Sequence, residues 1–80
     1  MITLYINPNC PFCKKTVEVA QEVGAPLTLK DIHDPAVEEE LIRIGGKRQM
    51  PFMVDDESDV SMYESEDIMR YLHQKFGGHP

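Results

Sequence analysis

Apolar residues along this chain switch between two spacings, and the switches mark out its elements. The opening run Ile2-Thr3-Leu4-Tyr5-Ile6 is β-branched and aromatic and stops at Asn7-Pro8-Asn9, which predicts a strand closed by a turn. From Pro11 to Val23 the spacing lengthens to that of a helix: Cys13, Val17 and Ala20 share one stripe, with Val23 beside it. Proline suits the first helical position, where φ is already set and the N–H is not needed. Gly24 stands where a left-handed cap would end the helix. Residues 27–32 predict a second strand, and Asp34-Pro35 the entry to a second helix. That helix puts Val37, Leu41 and Ile44 on one face and Glu38, Glu39 and Glu40 towards water, until Gly45-Gly46 stop it. Met50-Pro51-Phe52-Met53-Val54 predicts a third strand, its proline near the start, where a missing donor is tolerated. Residues 55–59 form a polar turn, residues 60–63 a fourth strand, and Ile68, Met69, Leu72 and Phe76 a final helix ending at Gly77-Gly78.

The predicted order is therefore β-α-β-α-β-β-α. Strands joined through a helix run parallel, whereas the short turn between the third and fourth makes an antiparallel hairpin. The expected fold class is α/β, with helices covering a mixed four-stranded sheet. No repeat or linker interrupts the chain, so residues 1–80 are expected to form one domain around one modest core.

Composition narrows the function. Fourteen acidic residues against eight basic ones give a formal charge of −6, which opposes binding to nucleic acid or to an anionic membrane. The first apolar run is too short for a signal peptide and lacks a basic flank, so a cytoplasmic protein is expected. Two cysteines are too few for a secreted disulfide framework. A bridge between neighbours as close as Cys10 and Cys13 closes a tiny loop and stabilises little.

A Cys-x-x-Cys pair in a reducing compartment is catalytic or metal-binding more often than structural. Cys10 falls just before a helix N-terminus, where free N–H groups and the positive end of the helix dipole favour a thiolate. Such placement depresses a thiol pKa from ~8.5 into a range of ~3.5 to ~7.5. Cys13 lies one turn further in, on the buried side, which makes the two thiols unequal. Lys14 and Lys15 add positive charge nearby, and Lys14 is a candidate for tuning Cys10. The rival use is a zinc or iron–sulfur site. His33, His73 and His79 show no paired ligand spacing, and Pro11 removes an N–H that could support a bound sulfur. No metal is expected within one chain, although a metal shared between two chains stays open. Residues 55–59 superficially suggest a calcium loop but lack its glycine and distal glutamate. The methionines at 50, 53, 62 and 69 are expected in the core or lining a site.

Three stretches taken in order resemble the glutaredoxins: Cys10-Pro11-Phe12-Cys13 after a short strand, Met50-Pro51 before another, and Glu64-Ser65 opening the last helix. The pair Glu64-Ser65, followed by "EDIMRYL", is similar to the glutathione-transferase-like branch more than to ordinary short glutaredoxins. The resemblance covers nearly the whole chain and implies a thioredoxin-like fold and glutathione-dependent thiol–disulfide exchange. There are departures from it. Phe12 replaces the usual tyrosine, the Gly-Gly before the last helix is missing, and the all-helical second domain of the transferase-like branch has no counterpart here. The chain is expected to be either a stand-alone redoxin or a domain of something longer.

The resemblance also implies roles. Cys10 and Cys13 would be catalytic, with Pro11, Phe12, Gln49, Met50, Pro51, Glu64 and Ser65 binding glutathione. It suggests a cis bond before Pro51, which would turn the Met50 backbone towards the cysteines so that an extended tripeptide can add to it. Ser65 reads from the sequence as an N-cap, with Glu66 and Asp67 suiting the helix dipole. By resemblance, Ser65 and its N–H would take the γ-glutamyl carboxylate and Glu64 the ammonium group; of Lys47, Arg48 and Gln49, just upstream of Pro51, Gln49 or Lys47 would take the glycyl carboxylate, and Lys47 is also a candidate tuning residue.

The expected activity is that of a monomeric dithiol glutaredoxin acting on disulfide-containing or glutathionylated proteins, with glutathione as reductant and a potential of roughly −200 to −230 mV. A redoxin recharged by a thioredoxin-type reductase, a metal-sharing protein and a non-catalytic glutathione-binding domain are the alternatives.

Overall fold

The computed structural model describes residues 1–77. Strand β1 (Ile2–Ile6) leads into α1 (Pro11–Glu22), β2 (Leu27–Asp31) and α2 (Pro35–Gly45). Strands β3 (Phe52–Asp55) and β4 (Val60–Met62) follow, then α3 (Ser65–Leu72), which runs on into a π-helical turn, His73–Gly77. The four strands form one mixed sheet in the order β2-β1-β3-β4. Strand β1 pairs parallel with β2 and antiparallel with β3, and β3–β4 is an antiparallel hairpin. This is the mixed four-stranded sheet that the order of apolar runs predicts, and the thioredoxin-like fold that the resemblance implies.

Alternation along the central strands sorts the core onto two faces. Ile2, Leu4 and Ile6 of β1 pack with Met53 against Cys13 and Ala20 of α1 and Ile68 and Leu72 of α3. On the opposite face, Tyr5 and Phe52 pack with Ile32 and with Leu41 of α2. A side-chain period of two makes this division obligatory once β1 is central, because consecutive residues must serve different layers. Each buried large aliphatic side chain contributes roughly 1.5–3 kcal/mol, so both small clusters are needed to hold so short a chain.

Local chemistry sets the ends of the elements. Pro11 opens α1, and Gly24, at φ 71°, follows its last turn in the left-handed region that glycine tolerates best. Asp34 caps α2 by accepting from the Ala36 N–H at 3.0 Å, and Gly46, at φ 93°, ends it. In the hairpin turn Asp59 takes φ 54°, a conformation Asp adopts more readily than most residues.

Four expectations need correction. Ile44 is 46% exposed and not part of the buried stripe of α2, because the last turn presents Gly45, four residues after Leu41, to Phe52 and Tyr63 and leaves Ile44 off that face. Glu40 does not simply face water: it accepts from the Tyr5 hydroxyl and pairs with Lys30 at 2.6 Å, tying α2 to β1 and β2. Those contacts, Lys30 first and Tyr5 next, hold the Glu40 carboxyl below its ordinary range. Asp55 is not in a solvated turn; it ends β3 and is fully buried. Ser65 is not the N-cap of α3. Glu64 holds that place with an extended backbone, its carbonyl accepting from the Ile68 N–H at 2.8 Å, and Ser65 is the first helical residue. Smaller differences are that β3 starts at Phe52, after Met50-Pro51, and that the last helix changes pitch at His73. The predicted stop at Gly78 and the candidate ligand His79 lie outside the described residues.

The buried Asp55 anchors α3 and the π-helical turn that follows it. It accepts from the Glu57 N–H at 3.1 Å, from the Tyr71 hydroxyl, and from Lys75 Nζ at 2.5 Å. Burial alone would raise its pKa, but the Lys75 and Tyr71 hydrogen bonds outweigh that and hold it at about 2. Lys75 is correspondingly raised by the Asp55 contact. The π-helical turn is thereby pinned to the sheet.

Candidate active site

Cys10 sits at the N-cap of α1, with an extended backbone, and is half-buried. Its own N–H is spent on the Asn7 carbonyl at 3.0 Å, which fixes the loop that delivers it. The first N–H groups of a helix have no intrahelical acceptor, so those of Phe12 and Cys13 are left pointing at the residue ahead of them. The Cys10 side chain makes no formal cap hydrogen bond, yet its pKa is lowered. The Cys13 N–H is the largest influence; partial desolvation opposes it, and the Phe12 N–H and the Cys13 thiol add to the lowering. A thiolate responds to polar groups beyond ideal bonding distance, so these N–H groups stabilise it without a formal cap bond.

Cys13 is the opposite case. It is fully buried, packed with Leu4, Ile6 and Ile68, and its sulfur accepts from the Asn7 N–H at 3.5 Å. Burial first, and the neighbouring Cys10 sulfur after it, push its thiol up to about 11, the Asn7 contact notwithstanding. Both cysteines are free thiols. One is ready to ionise and the other is kept protonated, three residues apart on one helix.

Beside this pair lies a cleft of about 160 Å³ lined by Phe12, Gln49, Met50, Pro51, Tyr63, Glu64 and Ser65. Three separate segments build it: the first turn of α1, the loop before β3, and the junction of β4 with α3. The Met50–Pro51 bond is cis. Phe12 is 64% exposed at the rim, and Pro11 beside it is also exposed. At the mouth Gln49 Nε2 donates to Glu64 Oε1 at 3.4 Å. Because Ser65 opens the helix rather than capping it, the early N–H groups of α3 have no side chain from Glu64 closing over them. That leaves a place for an anion.

The structure brings together most of the residues singled out in the sequence and leaves others apart. Phe12, Gln49, Met50, Pro51, Glu64 and Ser65 share the cleft. Arg48 is turned away into an ion pair with Glu38. Lys14 lines a different groove with Ile6, Pro8, Val17, Glu18 and Leu29, while Lys15 is exposed; the groups that lower Cys10 are the N–H groups and the thiol of its own helix. Tyr63 is the cleft residue the sequence reading missed. Its hydroxyl is bonded to the main chain of Lys47, whose ammonium lies 4.8 Å from the Tyr63 ring centroid. An aromatic directly before Glu64-Ser65 was the available signal. Among the described residues, no group of three or more His, Cys, Asp or Glu is placed to hold a metal ion, and no helix is long and apolar enough to cross a membrane.

The family model described as glutathione S-transferase, N-terminal domain, matches residues 4–80, almost the full length. The chain belongs to this family. A delta-class glutathione transferase from Nilaparvata lugens matches with a TM-score of 0.82 and 27% identity over 99% of this chain and 38% of that one. Glutathione transferase Omega 3C from Trametes versicolor matches with a TM-score of 0.82 at 23% identity, over 99% of this chain and 35% of that one. A mutant of a thioredoxin-like protein matches with a TM-score of 0.73 and 23% identity over 90% of this chain and 99% of that one. This transferase-type domain thus spans little more than a third of the transferases it overlays. No curated protein sequence matches it significantly. The family match falls on the transferase-like branch that Glu64-Ser65 and the following "EDIMRYL" resemble, and not specifically on the glutaredoxins.

Proposed function

We propose that this transferase-type domain is a glutathione-dependent thiol–disulfide oxidoreductase of the dithiol glutaredoxin kind. The observation that supports it is the unequal pair: Cys10 lowered by the N–H groups of Cys13 and Phe12, and Cys13 buried and raised to about 11, next to a cleft with a free helix start. In the first step the Cys10 thiolate attacks the glutathione sulfur of a mixed disulfide. A bond forms between the two sulfurs and the target leaves as a thiolate, which takes a proton from water. A second glutathione thiolate then attacks the glutathione sulfur on Cys10. Oxidised glutathione departs and the Cys10 thiolate returns. A low thiol pKa helps twice, raising the ionised fraction at neutral pH and making Cys10 a good leaving group.

With a protein disulfide, Cys13 resolves the intermediate. Once Cys10 is consumed in a mixed disulfide, its negative charge no longer raises the Cys13 pKa, and Cys13 can ionise and attack. The Cys10–Cys13 disulfide that results is reduced by two glutathione molecules. In the cleft, the N–H groups at Ser65 receive the γ-glutamyl carboxylate and Glu64, steadied by Gln49, receives the ammonium group. The exposed ring of Phe12 flanks the sulfur, and the Met50 main chain before Pro51 pairs with the cysteinyl portion.

The family match favours a second reading, conjugation of glutathione to an electrophile. That reaction needs glutathione's own thiolate in the cleft, and a negatively charged Cys10 alongside disfavours a second anion. Turnover of a small glutathione mixed disulfide, with glutathione as the sole reductant, separates the two. The redox reading expects steady turnover with that substrate and none with an aryl halide; the reverse result would replace it with the conjugation reading.

A further inference from the structure

Tyr63 is built into the loop before β3 by three independent features. Its hydroxyl accepts from the Lys47 N–H at 3.2 Å and donates to the Lys47 carbonyl at 2.7 Å, satisfying both main-chain groups of one residue. Space for that hydroxyl exists because residue 45 is glycine; a Cβ there would overlap it. The Tyr63 ring is held in turn by Phe52, at 4.5 Å between centroids, and itself carries the Lys47 ammonium on its face. The neighbouring polar residues of the loop are already engaged, Arg48 with Glu38 and Gln49 with Glu64. Among the described residues the Lys47 ammonium rests on an aromatic face and not on a carboxylate. A cation–π contact there orients the ammonium while leaving its charge available to an incoming anion.

We propose that Tyr63 is a positioning residue that fixes the Lys47 main chain and side chain so that the ammonium meets the glycyl carboxylate of glutathione. The inference deepens the proposed function and rests on glutathione being the ligand. Tyr63 touches neither sulfur, so it acts through Lys47 and on binding. Tyr63→Phe keeps the stacking on Phe52 and the ring under the ammonium and deletes only the hydroxyl, leaving the Lys47 N–H and carbonyl to find other partners.

The test is a comparison of glutathione with γ-glutamylcysteine, which lacks the glycyl carboxylate, using calorimetric binding and turnover of a mixed disulfide. Tyr63→Phe is expected to weaken glutathione by about threefold to tenfold, the effect of one net hydrogen bond. The change should appear in KM, with kcat little altered. The same substitution should leave γ-glutamylcysteine unaffected, and in a Lys47→Ala background it should cost almost nothing for either ligand. Equal weakening of both ligands, or full additivity of the two substitutions, would reduce Tyr63 to a structural role. If the unsubstituted protein binds glutathione and Tyr63→Phe binds it equally well, the inference alone is lost. If the unsubstituted protein binds neither ligand, the inference falls together with the functional reading.

Discussion

Cys10→Ser is expected to lower turnover of a glutathione mixed disulfide by about a thousandfold or more, since replacing a nucleophile removes the chemical step itself. Cys13→Ser should retain a substantial part of the same activity. The asymmetry follows from position. Only Cys10 receives the open N–H groups of α1, and the largest influence on it is the N–H of residue 13, which a serine there still supplies. Cys13 is buried among Leu4, Ile6 and Ile68, where a bulky substrate cannot reach its sulfur, so its work is confined to resolving an intermediate already formed on Cys10. With a protein disulfide as substrate the order changes. Cys13→Ser should then accumulate a trapped mixed disulfide through Cys10, visible as an added mass. Loss of mixed-disulfide turnover in Cys13→Ser as complete as in Cys10→Ser would rule out the monothiol route.

Asp55→Asn carries the largest expected effect on stability. Removing one member of a buried ion pair typically costs about 3–5 kcal/mol; because Lys75 stands at the rim and can turn to Glu57, the lower end, about 3 kcal/mol, is expected. An amide would also place donors opposite donors at Tyr71, Lys75 or the Glu57 N–H. The sign with pH follows from the native pKa of about 2, which lies below the ~3.9 of an unfolded aspartate. Asp55 therefore stabilises the fold above about pH 4 and loses that contribution as pH falls through about 2. Chemical denaturation followed by circular dichroism checks both points. Asp55→Asn should lower the midpoint at neutral pH and flatten the loss of stability between pH 4 and pH 2. A variant as stable as the parent at neutral pH would mean that the cluster does not hold the C-terminal turn.

The architecture was legible in the sequence because it depends on spacing. Period-two runs, helical stripes and the punctuation at Gly24, Gly45-Gly46 and Pro51 each reflect a backbone constraint that a single residue imposes. The position of Cys10 at a helix start was readable for the same reason, with Pro11 marking the first turn. What escaped was decided by tertiary packing. Asp55 sits in a run of acidic and polar residues that looks solvated, and its burial depends on Tyr71 and Lys75, sixteen and twenty residues away. Ile44 has the right spacing for the core, but the end of α2 turns Gly45, not Ile44, towards Phe52 and Tyr63. Ser65 has the right chemistry for an N-cap, yet the chain turns one residue earlier, at Glu64. Tyr63 was overlooked because its role is visible only when Gly45, Lys47 and Phe52 are seen around it.

The chemistry proposed for this site depends on α1 lowering the pKa of Cys10, chiefly through the Cys13 N–H. Its most direct test is a pH titration of thiolate absorbance and iodoacetamide alkylation in the reduced Cys13→Ser protein, where Cys10 is the sole thiol. A midpoint clearly below the ~8.5 of an ordinary cysteine is expected, with alkylation already fast at neutral pH. A midpoint at or above that ordinary value would contradict it.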